Sequence, residues 1–196
     1  MNDERAIEDL REEVLLLMGK CLYNLQVYER RLKGFLAASM VTVDMPTPDA
    51  EPTYTAVDTE KKTLGTLTGT LFRDVYTQDE RPWEPDDGNA TGNTLSFRYT
   101  VGLEPDSRRL LENELADFVS DRNDFIHHFA VKYDLEKIEH CRAAIPQLKR
   151  LREATLARNL RIQTDIENLI KVRQKASQIL AEKLEDPQST PKRYEN

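Results

Sequence analysis

Apolar side chains return at three- and four-residue steps along both ends of this chain, and that spacing commits it to long amphipathic helices. In the first stretch Ile7, Leu10, Val14, Leu17, Cys21, Leu25, Tyr28, Leu32 and Phe35 form one stripe, broadened by Leu15, Leu16, Met18, Leu22 and Leu36. This predicts a helix from Asp3 to about Ala38. Asn2 or Asp3 can cap it, and Glu8 and Asp9 suit the positive end of its dipole. A helix of about 35 residues runs roughly 50 Å, longer than one compact bundle needs, and its broad stripe predicts more than one neighbour. At the other end Leu135, Ile138, Cys141, Ile145, Leu148 and Leu151 start a second pattern. Leu156, Leu160, Ile162, Ile166, Leu169, Ile170, Val172, Ile179, Leu180 and Leu184 carry it to about Glu185. Asp134 is its expected cap and Pro146 an expected kink. Such a length fits a helical arm or a dimer contact.

The middle of the chain differs. Between Met40 and Asn93, Pro46, Pro48, Pro52, Pro82 and Pro85 interrupt any long periodicity, which predicts an insertion or long connection. Within it Leu64, Leu67 and Leu71 recur at helical steps, so a short helix is expected between Glu60 and Tyr76, although Gly65, Gly69 and four threonines favour a hairpin. Trp83 is expected to anchor the loop by packing. The run from Asp86 to Asn93 reads as a turn without the spacing of a calcium loop. From Thr94 to Leu103 apolar Leu95, Phe97, Tyr99 and Val101 alternate with polar residues, the period of a half-buried strand. Its partner is open: Tyr54 to Val57, its own copy in a second subunit, or none, as an extended cover on the bundle.

Asp106 or Ser107 then caps a third helix, expected from about Asp106 to Tyr133 on the recurrence of Leu111, Leu115, Phe118, Phe125, Phe129 and Tyr133. Arg122 stands on that apolar stripe, four residues after Phe118 and three before Phe125. An unpaired charge there is costly. No acid lies three or four residues away, so its partner must come from another element. Asn123 and His127 share one face a turn apart, and Asp124 and His128 share the next, so each imidazole has a polar neighbour able to fix its tautomer. An imidazole exchanges protons near neutral pH, and a guanidinium is a permanent bidentate partner for phosphate oxygens. Together they suit chemistry at a phosphodiester.

The run Arg122-Asn123-Asp124-Phe125-Ile126-His127 resembles the Arg-Asn-x-x-x-His form of the motif carried on a helix of HEPN domains (higher eukaryotes and prokaryotes nucleotide-binding). The resemblance implies an all-α HEPN-like bundle that dimerises through its motif helices. It also implies metal-independent RNA cleavage, with Arg122 and His127 as catalytic residues and no cofactor. Asn123, His128 and Asp121 are expected in supporting roles. In one branch of the family a tyrosine two residues after the histidine accepts a nucleotide from a partner enzyme; Phe129 occupies that position. The expected architecture is a single helical domain over 1–185 with long N- and C-terminal helices. The Pro-rich insertion, 40–104, is expected to contain at most a minor strand or hairpin and to lie outside the core. A disordered tail, 186–196, is expected to follow.

The 196 residues carry 39% hydrophobic and 32% charged side chains, a lean mixture that suits long helices better than a broad buried sheet. A net charge of −7 argues against binding nucleic acid by bulk electrostatics, so a nuclease needs a local basic site. Lys149, Arg150, Arg152 and Arg158 in the last helix are candidate RNA contacts, as is the basic end Glu29-Arg30-Arg31-Leu32-Lys33 of the first. A solvated face balanced by Glu153, Asp165 and Glu167 explains the run in the last helix equally well, and solvated cations at a helix C-terminus are the more common explanation of the run in the first. Cys21 and Cys141 lie in separate apolar patterns and are expected as buried thiols in a reducing compartment. His127, His128, His140 and Cys141 lack a standard metal spacing, so no metal site is expected. No run of 18 apolar residues occurs, and the acidic start is unlike a secretion signal, so a cytoplasmic protein is expected. The alternatives to a ribonuclease toxin or defence effector, with or without an antitoxin-like partner protein, are a catalytically silent RNA- or protein-binding module and a helical scaffold.

Overall fold

The computed structural model describes residues 2–44, 51–78 and 94–185. In chain order the elements are α1 (Asn2–Ser39), β1 (Met40–Asp44), β2 (Thr53–Ala56), α2 (Leu64–Asp74), β3 (Tyr76–Thr77), β4 (Thr94–Arg98), β5 (Val101–Gly102), α3 (Pro105–Lys132) and α4 (Ile138–Glu185). The chain is predominantly helical with a small sheet. No helix among the described residues is long and apolar enough to cross a membrane. Trp83, the run from Asp86 to Asn93 and the stretch from Asp186 onward lie outside the described residues.

The core is the seam between α1 and α4. Val14, Leu17, Cys21, Leu25, Tyr28, Leu32 and Phe35 from α1 are buried there, as are Cys141, Ala144, Leu148, Leu151, Ile162 and Leu169 from α4. These are the three- and four-residue steps seen in the sequence. The two helices run parallel, since partners advance together: the Cys21 thiol donates to the Leu148 carbonyl at 3.3 Å, Arg31 donates to the Asn159 carbonyl at 3.3 Å, and Arg173 donates to the Ala38 carbonyl at 2.5 Å. Asn159 is the polar layer of this seam. Its amide donates to the carbonyls of Asn24 at 3.1 Å and Thr155 at 3.2 Å, so a buried polar side chain is satisfied only in one register. Both cysteines are free and buried.

Helix α3 runs antiparallel to the pair. Its early Glu114 carbonyl accepts from Arg158 at 2.6 Å, whereas its later Asp124 accepts from Gln147 at 3.3 Å. The edge-on rings of Phe118 and Tyr28, 5.6 Å apart, tie it to α1. It starts at Pro105, whose fixed φ suits the first helical position. The expected cap at Asp106 or Ser107 is not used; Asp106 pairs instead with Arg109 at 3.1 Å. Asp134 likewise sits ahead of α4 and does not cap it, accepting from the Glu136 amide at 3.1 Å. Helix α4 is continuous through Pro146.

The segment 40–104 departs most from expectation. Instead of at most one strand or hairpin it forms a three-stranded antiparallel sheet, ordered β2-β1-β4, and a two-stranded parallel pair, β3-β5. The strand expected at Thr94 pairs with β1, Val41 opposite Phe97, and Tyr54 lies across β1 at Val43. Nor is the segment outside the core: Leu64, Leu67, Leu71, Phe72, Val75, Tyr76 and Tyr99 are all buried in it. The short helix expected between Glu60 and Tyr76 is α2, with Thr63 as its cap. The consequence for α3 is a fixed starting point. Val101 donates to the Val75 carbonyl at 2.8 Å and Leu103 to the Thr77 carbonyl at 2.9 Å, and Arg108 donates to the Tyr76 carbonyl at 2.7 Å.

Candidate functional site

Arg122 lies where α3 crosses α1. Its side chain retains 26% exposure, and its Nη2 is 4.0 Å from Glu29 Oε2. The partner required by its place on the apolar stripe is thus a carboxylate of α1, at a distance that leaves a weak, partly solvated pair. Its Nη1 donates to Asn123 Oδ1 at 3.0 Å, which directs one edge of the guanidinium and leaves the remaining donors free for another acceptor.

Beside it runs a groove of about 490 Å³, floored by Leu25 and Leu64, edged by Leu22 and Ile126, and lined on its polar side by Glu29, Arg30 and Lys33 together with Arg122. Glu29 Oε1 also pairs with Lys33 Nζ at 3.1 Å, and Lys33 Nζ donates to the Glu60 carbonyl at 3.0 Å. One carboxylate therefore sits between two cations. The sequence marked the basic end of α1 but not its division: Arg31 turns inward to Asn159, whereas Arg30 and Lys33 face the groove.

His127 and His128 are exposed, their ring centroids 6.3 Å apart. Neither imidazole has a hydrogen-bond partner among the described residues. The expected pairing of Asn123 with His127 is not formed, because the adjacent guanidinium, a charged donor, takes the Asn123 oxygen. Asp124 likewise turns from His128 to Lys132 at 3.4 Å and to Gln147. Asp121 faces the other way, sharing a cavity of about 80 Å³ with Arg150 and Gln147. Arg122 and His127 stand five residues apart on one helix, roughly 7.5 Å along its axis and about 140° around it, so within one chain they are not stacked, and His127 does not line the groove beside Arg122.

The basic middle of α4 is largely committed to structure. Lys149 pairs with Glu13 of α1 at 2.8 Å, and the Arg158 guanidinium stacks 4.4 Å over Phe118. Arg152 is half-buried. None of Lys149, Arg150, Arg152 and Arg158 lines the groove that receives Arg122. Comparison with protein-family models, with curated proteins and with solved structures finds no match to this chain.

Proposed function

We propose that this chain is a metal-independent endoribonuclease of HEPN type, acting at a cleft completed by a second copy. The observation that carries the proposal is the division of labour on α3. Arg122 is half-buried and held by Asn123 with donors to spare, while His127 is exposed, its ring nitrogens without a hydrogen-bond partner among the described residues. One chain supplies half a cleft, and Leu22, Ile126 and Val131, at 40%, 39% and 88% exposure, offer apolar surface near the motif for the copy that completes it.

In the proposed reaction His127 assists proton transfer from the ribose 2′-hydroxyl or to the leaving 5′-oxygen. The 2′-oxygen attacks phosphorus, the bond to the 5′-oxygen breaks, and a 2′,3′-cyclic phosphate and a 5′-hydroxyl result. Arg122 neutralises the charge that develops on the phosphorane, the part a positioned cation plays without a Lewis acid. A toxin or defence setting, with a partner protein holding the activity in check, fits such chemistry.

A catalytically silent binding module is the second reading, favoured by the Glu29 contact to Arg122 and by the absence of an Asn123 contact to His127. Incubating purified protein with RNA separates the two. The ribonuclease reading expects cyclic-phosphate ends, insensitivity to EDTA, a dimer by light scattering, and a loss of about 10² to 10⁴ in rate for His127→Ala or Arg122→Ala with helical content unchanged. Cleavage that survives His127→Ala, or none by the parent protein, rejects it.

A further inference from the structure

The groove between α1 and α3 holds more than Arg122 requires. Three cations, Arg30, Lys33 and Arg122, face one carboxylate, Glu29, in a chain whose net charge is −7. Lys33 is held by Glu29, and that same carboxylate is only 4.0 Å from Arg122. Arg30 is exposed and has no ion-pair partner among the described residues. Three residues apart on α1, Arg30 and Lys33 share a face. Below them Leu25 and Leu64 are buried to 6% and 3% exposure and form an apolar floor. The volume of about 490 Å³ lies within the range of small-ligand clefts.

A cationic edge over an apolar floor matches the two ends of a nucleotide. A phosphate alone has no use for the leucine floor, and an apolar helix packed into the groove would strand Arg30 and Lys33 against its own apolar face, a costly arrangement. Among the lining residues Gln26 carries the one neutral amide, a donor and an acceptor together.

We propose that this groove is an RNA subsite for the nucleotide next to the cleaved linkage. The base lies on Leu25 and Leu64 with Gln26 at its edge, and its phosphate lies against Arg30 and Lys33. The proposal rests on the ribonuclease reading for the linkage that is cut but not for the binding. Aliphatic contact accepts any base, so sequence preference comes from Gln26 alone and is weak.

The test uses the full chain and a fluorescein-labelled 2′-O-methyl hexauridylate, which has no free 2′-hydroxyl and cannot be cut. Anisotropy titrations across a salt series are expected to show Arg30→Ala binding roughly tenfold more weakly than the parent. The slope of log affinity on log salt should fall by about 0.7, the value for one phosphate contact on a single strand. Lys20→Ala, an equal loss of charge elsewhere on α1, is expected to change affinity by less than about twofold. Parent protein that does not bind, or Arg30→Ala and Lys33→Ala that both bind like the parent, overturns the proposal. Binding that depends on Arg30 in a protein that cuts no RNA keeps the subsite and removes the ribonuclease. Cleavage that depends on His127 in a protein whose binding ignores Arg30 keeps the ribonuclease and removes the subsite.

Discussion

Replacing Tyr76 by Phe removes a single oxygen, and the structure sets what that oxygen is worth. The hydroxyl donates to Asp165 Oδ2 at 2.5 Å, with Tyr76 at 2% exposure and Asp165 at 7%. Among the described residues the ion-pair partner of Asp165 is Arg161, whose Nε is 4.0 Å away on a side chain 56% exposed, too far and too solvated to replace a direct donor. A hydrogen bond to a charged group contributes about 1.5–3 kcal/mol, and stranding a buried carboxylate puts the loss in the upper half of that range. In a chain of this size 1 kcal/mol moves the melting temperature by about 2–4 °C, so Tyr76→Phe should melt roughly 4–12 °C below the parent. Tyr76→Phe combined with Asp165→Leu should recover most of the loss, because removing both partners leaves nothing unsatisfied. Thermal melts followed at 222 nm and urea titrations at pH 7 measure both. A Tyr76→Phe protein melting within about 1 °C of the parent would refute the argument that this pair holds β3 to α4.

Leu148→Ala empties a fully buried position of the α1–α4 seam and should cost about 3–5 kcal/mol in urea unfolding; a loss below about 1 kcal/mol would mean that the seam is not the core. Stability should also fall in alkali. Burial pushes the Tyr28 hydroxyl from 10.0 up to about 12 and the Cys21 thiol from 9.0 up to about 11, and Tyr76 moves the same way through burial and its bond to Asp165. A group whose pKa is raised by folding gives its full stabilisation below the unfolded value and loses it as pH climbs towards the folded one. Unfolding free energy should therefore hold to about pH 9 and then drop, with Tyr28 alone accounting for about 2 kcal/mol by pH 12; an unchanged value at pH 11.5 would contradict the burial of these groups.

Periodicity made the four helices legible because it reports a buried face directly. Leu64, Leu67 and Leu71 located α2 against the preference of Gly65, Gly69 and the threonines, since packing on the bundle outweighs intrinsic propensity. The central strand β1 went unseen. Val41 and Val43 alternate with Thr42, but the run is five residues long and abuts a 38-residue helix on one side and Pro46 on the other, so its β-branched signal reads as the frayed end of a helix. At the candidate site, local spacing required an outside partner for Arg122 but left unnamed Glu29, some 90 residues upstream. The expectation for Asn123 failed for a different reason. Helical geometry brought Asn123 and His127 within reach, and a charged donor next door decided the contact. The parallel pairing of α1 with α4 leaves no mark on either stripe.

That pairing sets an order in time. The Cys21 thiol and its acceptor at Leu148 are separated by 127 positions, and at a synthesis rate of about 5–20 residues per second roughly 6–25 s pass between the emergence of the two partners. For that interval, among the described residues, the leucines of α1 have α2 and, later, α3 to cover them. Ribosome-bound intermediates should accordingly expose a long apolar helix face to chaperones until the final third of the chain arrives. Closure then needs contacts between distant parts of the chain, which makes this helical protein a slower folder than bundles of sequential antiparallel neighbours.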